Sequence, residues 1–456
     1  MDLPEVRDNM ARFLELPELA AAALVCKSWN TTFTTALYRT INRQHYKRSN
    51  KEGVISNADR IRHLELSETE VHLFSGGCTK LKSLTIRTLT SWSSQNLDHL
   101  YTLIRRNPSI KSIRLEYGGN KPPKVLLEAV SSCLDLCTLD IWTSGLDVAC
   151  MGIILDTAVR LECLRVESNV TFPESLDKWQ CFPVLRELNL SRSRNIPART
   201  YLKVIRRCPG LRNLIWLLTD DDPCPVSDIC ELFRMHCPLL ERLELSAKCL
   251  MDENLSEILD SCHQLVSVKF TDSKFGELSF RSLFRHFATL QEINLEYCNE
   301  VTSEMVQRIM TSCERLTSLH APTLDASDIL GDVKGKKATG MAAVIHQPLQ
   351  EWACRNLRLL SVFICGLEGR PLDWHRKVLQ RLSKLTKLVH LNIGSGQYYN
   401  SYSRDGLDLR LETGLDALSS LKQLRYLGFD GSSQQMEEQD VQWIEATWPG
   451  ATSESA

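Results

Sequence analysis

From residue 61 onward the chain repeats one pattern of apolar and polar positions, Leu-x-x-Leu-x-Leu, with Ile, Val or Phe as substitutes. Copies begin at Ile61, Leu81, Ile110, Leu136, Leu161, Leu185, Leu211, Leu240, Leu265, Leu290, Leu316, Leu357, Leu388 and Leu424, fourteen in all. Between Ile110 and Leu316 they follow one another at 24 to 29 residues. Inside each copy apolar and polar positions alternate, as in a short strand with one buried face. Between copies the period becomes helical. Leu255, Ile258, Leu259 and Cys262 fall at i, i+3, i+4 and i+7, and Met305, Val306, Ile309, Met310 and Cys313 make a similar stripe. Each unit therefore predicts a strand followed by a helix, stacked on its neighbours.

Cysteine usage fits this reading. The chain has 17 cysteines and no C-x-x-C pair. Seven of them, Cys78, Cys133, Cys208, Cys237, Cys262, Cys313 and Cys354, stand three residues before a repeat's first apolar position. Phe182 and Phe287 take the same slot in other repeats. A slot that accepts Cys and Phe is a core position, where a free thiol acts as a small hydrophobe. Cys224, Cys230, His236 and Cys237 gather metal-type donors, but helix-to-core packing accounts for them better, and no metal is expected. Together these features resemble the cysteine-containing, ribonuclease-inhibitor-like leucine-rich repeats. The resemblance covers most of the chain and implies an α/β horseshoe solenoid, with a parallel sheet on the concave side and helices on the convex side.

The repeats occupy residues 61–456 and are interrupted. Between Leu316 and Leu357 the spacing stretches to 41 residues, and "GDVKGKKATGMAA" lies inside this gap, so a flexible insert is expected at 323–356. "GSGQYYNSYSRDGLD" at 394–408 reads as a second long loop.

Residues 3–41 break the repeat and predict three short helices. Leu3-Pro4-Glu5 opens the first, with Val6, Met10, Phe13 and Leu14 on one stripe. Pro17-Glu18 opens the second, on which Ala22, Val25 and Trp29 recur at i, i+3 and i+7; Phe33, Leu37 and Ile41 line the third. Some forty residues make a weak core alone, so the leftover apolar surface calls for a partner or a neighbouring domain. Leu3-Pro4-Glu5, Phe13-Leu14, Leu19 and Val25-Cys26-Lys27-Ser28-Trp29 resemble the F-box, which gives domains at 1–45 (F-box), 46–60 (linker) and 61–456 (repeats). The resemblance implies docking to the small acidic Skp-type adaptor of a cullin ubiquitin ligase. Leu3, Pro4, Leu14, Leu19, Leu24, Val25 and Trp29 are the positions carried over as adaptor contacts or their direct support. The Ala20–Ala23 run departs from the family, where larger or polar residues are common, and flattens one helix face.

On the sheet, outward strand positions give a second candidate surface. Trp142, Arg165, Ile215, Leu217, Lys269 and Phe363 are the expected target contacts, since apolar residues at outward positions are the usual anchors of an interface. Around "LRNLIWLL" two strand phases compete: either Ile215 and Leu217 face out, or Trp216 does and Ile215 turns inward.

Bulk properties exclude several classes. Lys+Arg (54) nearly balance Asp+Glu (56), without the basic excess of a nucleic-acid binder or a polybasic membrane patch. No apolar run reaches transmembrane length, and Asp2, Glu5 and Asp8 replace the basic start of a secretory signal. Many free thiols suit a reducing compartment, cytoplasm or nucleus. No P-loop, G-x-S-x-G, H-E-x-x-H or kinase signature occurs, so catalytic residues, cofactor, nucleic acid and membrane are all expected to be absent. The expected role is a substrate receptor that brings a target protein to a ubiquitin ligase. The alternative is a leucine-rich-repeat scaffold or inhibitor that binds a protein partner without ubiquitin transfer.

Overall fold

The computed structural model describes residues 3–48, 50–87, 94–117, 121–176, 178–179, 181–190, 196–217, 226–246, 248–332, 350–394, 405–429 and 434–450. The chain forms two compact units, residues 1–211 and 212–456.

The first unit starts with α1 (Pro4–Met10), α2 (Leu16–Ala23) and α3 (Lys27–Arg39). Then come β1 (Thr40–Ile41), α4 (Arg43–Arg48), α5 (Lys51–Ser56) and six repeat strands. These are β2 (His63–Ser67), β3 (Ser83–Arg87), β4 (Ser112–Glu116), β5 (Thr138–Leu146), β6 (Cys163–Val170) and β7 (Glu187–Asn189). Each pairs in parallel with the next. The second unit contains β8 (Asn213–Leu217), β9 (Arg242–Ser246), β10 (Ser267–Thr271), β11 (Glu292–Asn294), β12 (Ser318–Asp325), β13 (Leu359–Cys365), β14 (His390–Asn392) and β15 (Tyr426–Gly428), again all parallel. This is leucine-rich-repeat architecture in both units.

Every one of the fourteen repeat strands starts two residues after its pattern's first apolar position, from Ile61 and His63 to Leu424 and Tyr426. The first, fourth and sixth positions of the pattern point to the core; in the first repeat these are Ile61, Leu64 and Leu66, all essentially inaccessible. Intervening helices lay their apolar stripes on the same side of the sheet. Examples are Leu100, Leu103 and Ile104 in Ser94–Arg105, and Met305, Val306, Ile309 and Met310 in Ser303–Ser312. In β2 and β4 the opposite face is left open, with alternating half-buried positions.

All seven slot cysteines are buried, together with Phe182 and Phe287. Burial pushes the thiols of Cys78, Cys237, Cys262 and Cys354 up to about 12. Among the described residues no group of three or more His, Cys, Asp or Glu could hold a metal ion; Cys224 lies outside them. No described helix is long and apolar enough to cross a membrane.

Within the stretch expected as a linker, Lys51–Ser56 form α5 and Ala58–Arg60 a short helical turn. Tyr46, Val54 and Ala58 are buried, and the Tyr46 ring meets Phe74 edge-on at 5.6 Å. Just before this stretch, β1 pairs in parallel with β2 and adds one strand to the six repeat strands of the first unit. In the expected insert, residues up to Asp325 continue β12, and Ala326–Leu330 form a helix ended by Gly331 in the left-handed region at φ 69. Trp352 and Cys354 are buried, and residues 333–349 lie outside the described set, as do 395–404 of the second loop.

Candidate functional site

The N-terminal helices have a core, but a small one. Leu19, Ala22 and Ala23 of α2 pack on Phe33 of α3, and Ala11, Leu14, Trp29, Ala36 and Leu37 close around them. Polar ties fix the turns. Glu15 and Glu18 form a capping box at the start of α2, with Glu15 N donating to Glu18 Oε2 at 2.8 Å. Asn30 Nδ2 donates to the Ala23 carbonyl at 2.9 Å and holds α3 against the end of α2.

Trp29 belongs to the third helix, not the second. Leu24 caps α2, and Cys26 is fully extended (φ −161, ψ 171), so the helical path breaks before Lys27. Trp29 then lies on the α3 stripe beside Phe33 and is half-buried. Leu19 is buried too and acts as support for the helices rather than surface.

What remains outside this core is apolar. Leu3 (53% exposed), Val6, Met10, Phe13 (86%), Leu16, Leu24 (85%) and Val25 (63%) all face solvent. Seven of the twenty-one exposed large apolar side chains among the described residues thus fall within the first 25 positions. α1 has seven residues and buries none of them. A helix this short is marginal in water without a packed face. Pro4 is exposed at its first turn, and Leu14 is half-buried. The alanine run splits by role: Ala22 and Ala23 fill the core, while exposed Ala20 lines a groove of about 560 Å³ with Leu16, Pro17, Leu37 and Tyr38.

The open sheet face is mostly an ion-pair lattice. In the first unit Arg87 pairs with Glu65 at 2.8 Å, and Arg114 pairs with Glu116 at 2.9 Å. The Arg114 guanidinium also stacks over the Trp142 ring, 4.8 Å from its centroid. Trp142 Nε1 donates to Asp140 Oδ1 at 2.7 Å. Burial raises the Asp140 carboxyl above its ordinary range, against the pull of Arg114. Arg165 is already paired with Glu187, and Lys269 in the second unit with Glu244 at 2.8 Å. Such half-exposed pairs contribute little stability.

In β8 Trp216 is buried, Ile215 half-buried and Leu217 exposed, so the phase with Ile215 and Leu217 outward is the one adopted. Phe363, expected as a target contact, is buried. It is 1% exposed and cannot serve as a surface anchor. Five consecutive positions of β13, Leu360–Ile364, are buried, which requires cover on both faces; strict alternation presumed one open face. The partner strand β12 also shifts register between His320 and Thr323, so Phe363 pairs with Thr323 beyond the regular ladder.

A feature with no sequence signal is a cleft of about 310 Å³ lined by Thr35, Arg39, Arg60, Arg62, His63 and Lys82. Its four cations come from α3, from the turn Ala58–Arg60, and from the residues just before β2 and β3.

No family model matches the chain. A human protein described as baculoviral IAP repeat-containing protein 1 is similar over 223 residues at 29% identity, which spans 46% of this chain and 14% of the human protein. Among solved structures, a chain of the yeast Rad7–Elc1 complex is similar at 15% identity and TM-score 0.48, covering 71% of this chain and 87% of that one. A leucine-rich-repeat protein of Leptospira interrogans is similar at 16% identity and TM-score 0.38, covering 89% and 98%.

Proposed function

We propose that this chain is the substrate-recognition subunit of a cullin-type ubiquitin ligase, an F-box protein with leucine-rich repeats. Residues 3–41 dock a Skp-type adaptor, and the open face of the repeats holds the target protein. The observation that carries this reading is the exposure of Leu3, Phe13, Leu24 and Val25 on helices that already own a core. Leu3 and Val25 stand in the Leu-Pro-Glu and Val-Cys-Lys-x-Trp motifs, and Phe13 and Leu24 lie between them. Burying a fully exposed Leu or Phe side chain gains about 1.5–3 kcal/mol, so a few such residues suffice for a stable contact.

The chain itself performs no chemistry in this reading. Held next to a ubiquitin-charged conjugating enzyme, a bound target meets the reactive thioester at high effective concentration, and proximity supplies the rate. Trp142, Ile215 and Leu217, with Arg165 and Lys269 freed from their ion pairs, are the proposed target contacts, in a cytoplasmic or nuclear setting.

The experiment is titration of the full-length chain with a purified Skp-type adaptor, with Leu24→Asp and Val25→Asp variants alongside. Both side chains are exposed, so the variants keep the wild-type unfolding profile. Loss of at least tenfold in affinity is expected for each. Wild-type affinity in both, or no adaptor binding by the parent chain, sinks the assignment and leaves a binding scaffold.

A further inference from the structure

Parallel pairing in the first unit stacks like charges that the sequence keeps far apart. The Arg62 amide donates to the Arg39 carbonyl at 2.9 Å, Lys82 to Arg62 at 2.7 Å, and Lys111 to Lys82 at 2.8 Å. Four cationic residues therefore occupy consecutive rungs of one ladder, with strands about 4.8 Å apart. Like charges directly across a sheet destabilise it. Relief would be expected from interleaved acids, as on the open face nearby, where Arg87 and Arg114 meet Glu65 and Glu116.

Here there is none. Among the described residues no carboxylate lies within 4.0 Å of Arg39, Arg60, Arg62 or Lys82. Their hydrogen bonds run to neutral oxygens. Arg60 Nη1 reaches Thr35 Oγ1 at 3.4 Å, Arg62 Nη1 reaches the Asp59 and Ile61 carbonyls at 3.1 and 3.2 Å, and Lys82 Nζ reaches the Ser109 carbonyl at 3.4 Å. The side chains of Arg39, Arg60, Arg62 and Lys82 line the 310 Å³ cleft together with Thr35 and His63. The field is felt by the histidine: burial first, then Arg39 and Arg62, depress its pKa.

We propose that this cleft binds a phosphate monoester dianion, carried by a phosphoserine or phosphothreonine of a bound protein segment. A monoester brings −1.5 to −2 charges and three acceptor oxygens, and arginine forks match those oxygens in pairs. A single carboxylate would offset only one of the four cations. A nucleic-acid strand would need a long basic track and aromatic platforms. The cleft lining has no such platform, and the same ladder passes through Cys137 to Glu162 two strands beyond Lys111. Thr35 and Arg39 lie within residues 3–41, but no cleft residue is among the proposed adaptor contacts Leu3, Pro4, Leu14, Leu19, Leu24, Val25 and Trp29, so variants at Arg62 and Lys82 test the cleft apart from the docking.

The test uses the full-length chain at about 0.15 M salt, where loose surface attraction is screened. The probes are a short peptide with one phosphoserine, its unphosphorylated twin, inorganic phosphate, and a single-stranded oligonucleotide. The phosphopeptide is expected to bind at least tenfold tighter than its twin. Inorganic phosphate should displace it and should raise the His63 pKa followed by NMR. Arg62→Gln with Lys82→Gln should weaken the phosphopeptide at least tenfold without lowering the unfolding temperature, and Lys82→Glu alone should act in the same direction. Equal binding of the two peptides, or unchanged affinity in the double variant, overturns the site. Binding of inorganic phosphate without the phosphopeptide overturns the protein-borne source, and tighter binding of the oligonucleotide overturns the ligand class.

Discussion

Trp29 and Phe33 lie one turn apart on α3, with ring centroids 5.1 Å apart and planes tilted by 47°. Phe33 is wholly buried among Leu19, Ala22 and Ala23, and Trp29 packs against that cluster from the side. Trp29 therefore holds the helices together as well as standing at the motif's end. Trp29→Ala is expected to cost the N-terminal helices roughly 2 kcal/mol, below the range for a fully buried aromatic because the ring is only half-covered. Hydrogen exchange of the Lys27–Arg39 amides should speed up accordingly, while Val25→Asp leaves it unchanged. Wild-type exchange in Trp29→Ala would show that the ring does not support the helices.

The thiols divide by burial. Cys26 and Cys181 are exposed, whereas the seven slot cysteines are buried and those of Cys237, Cys262 and Cys354 are raised to about 12 by desolvation. The thiolate is the reactive form. At pH 8, native-state alkylation followed by mass mapping should therefore mark Cys26 and Cys181 first. The slot cysteines should label only once denaturant opens the repeats. Early labelling of Cys262 or Cys354 would contradict a sealed core.

The repeat phase was legible from the chain because each strand's register is set by one buried face: a slip of one residue would expose every inward Leu. The cysteine slot was legible for the same reason, since its alternates are Phe182 and Phe287. Phe363 was misread where that logic lapses, on a strand covered from both sides. The Thr40–Ile41 strand is two residues long and carries no pattern of its own. The basic cleft was invisible because Arg39, Arg60, Arg62 and Lys82 are scattered over more than forty residues and meet only through parallel pairing. The apolar character of the N-terminal segment was plain, but which residues face out required the break at Cys26.

Asp252 joins two successive repeats. Its carboxylate accepts from the backbone N–H groups of Gly276, Leu278 and Ser279, each at 2.9 Å, and from the Ser279 hydroxyl. It thereby caps helix Glu277–Phe284, whose own N-cap residue is Gly276. A Cβ at Gly276 would come within 2.7 Å of Asp252 Oδ2, so Gly276→Ala should disturb the same cap. Burial pushes the Asp252 carboxyl up, but the bonds from Ser279, Leu278 and Gly276 outweigh it and the pKa is lowered. A carboxyl depressed in the folded state gives its stability above the unfolded pKa, about 3.9, and loses it as pH falls through the folded value. Asp252→Ala is thus expected to cost roughly 1–2 kcal/mol at pH 7 and progressively less below pH 4. A denaturant midpoint measured at both pH values checks this, and an equal loss at each would exclude the capping role.

His286 sets a second pH response, nearer neutrality. Its Nε2–H donates to the Leu259 carbonyl at 3.0 Å, and Nδ1 lies 3.5 Å from the Leu265 amide. Burial depresses its pKa, opposed by the Leu259 bond and Asp260 and reinforced by Arg285 and His263. Above about pH 6.5 the ring is neutral in both folded and unfolded chains, and its hydrogen bonds contribute fully. As pH falls below that value the unfolded chain takes up a proton that the folded repeat refuses, and stability declines until the folded pKa is reached. The slope is at most about 1.4 kcal/mol per pH unit. His286→Gln should be less stable than wild type at pH 7.5 and should lose less on going to pH 5.5. His375, also depressed by burial, is present in both chains and cancels in the difference. Parallel stability curves for the two proteins over that interval would show that His286 does not titrate on unfolding.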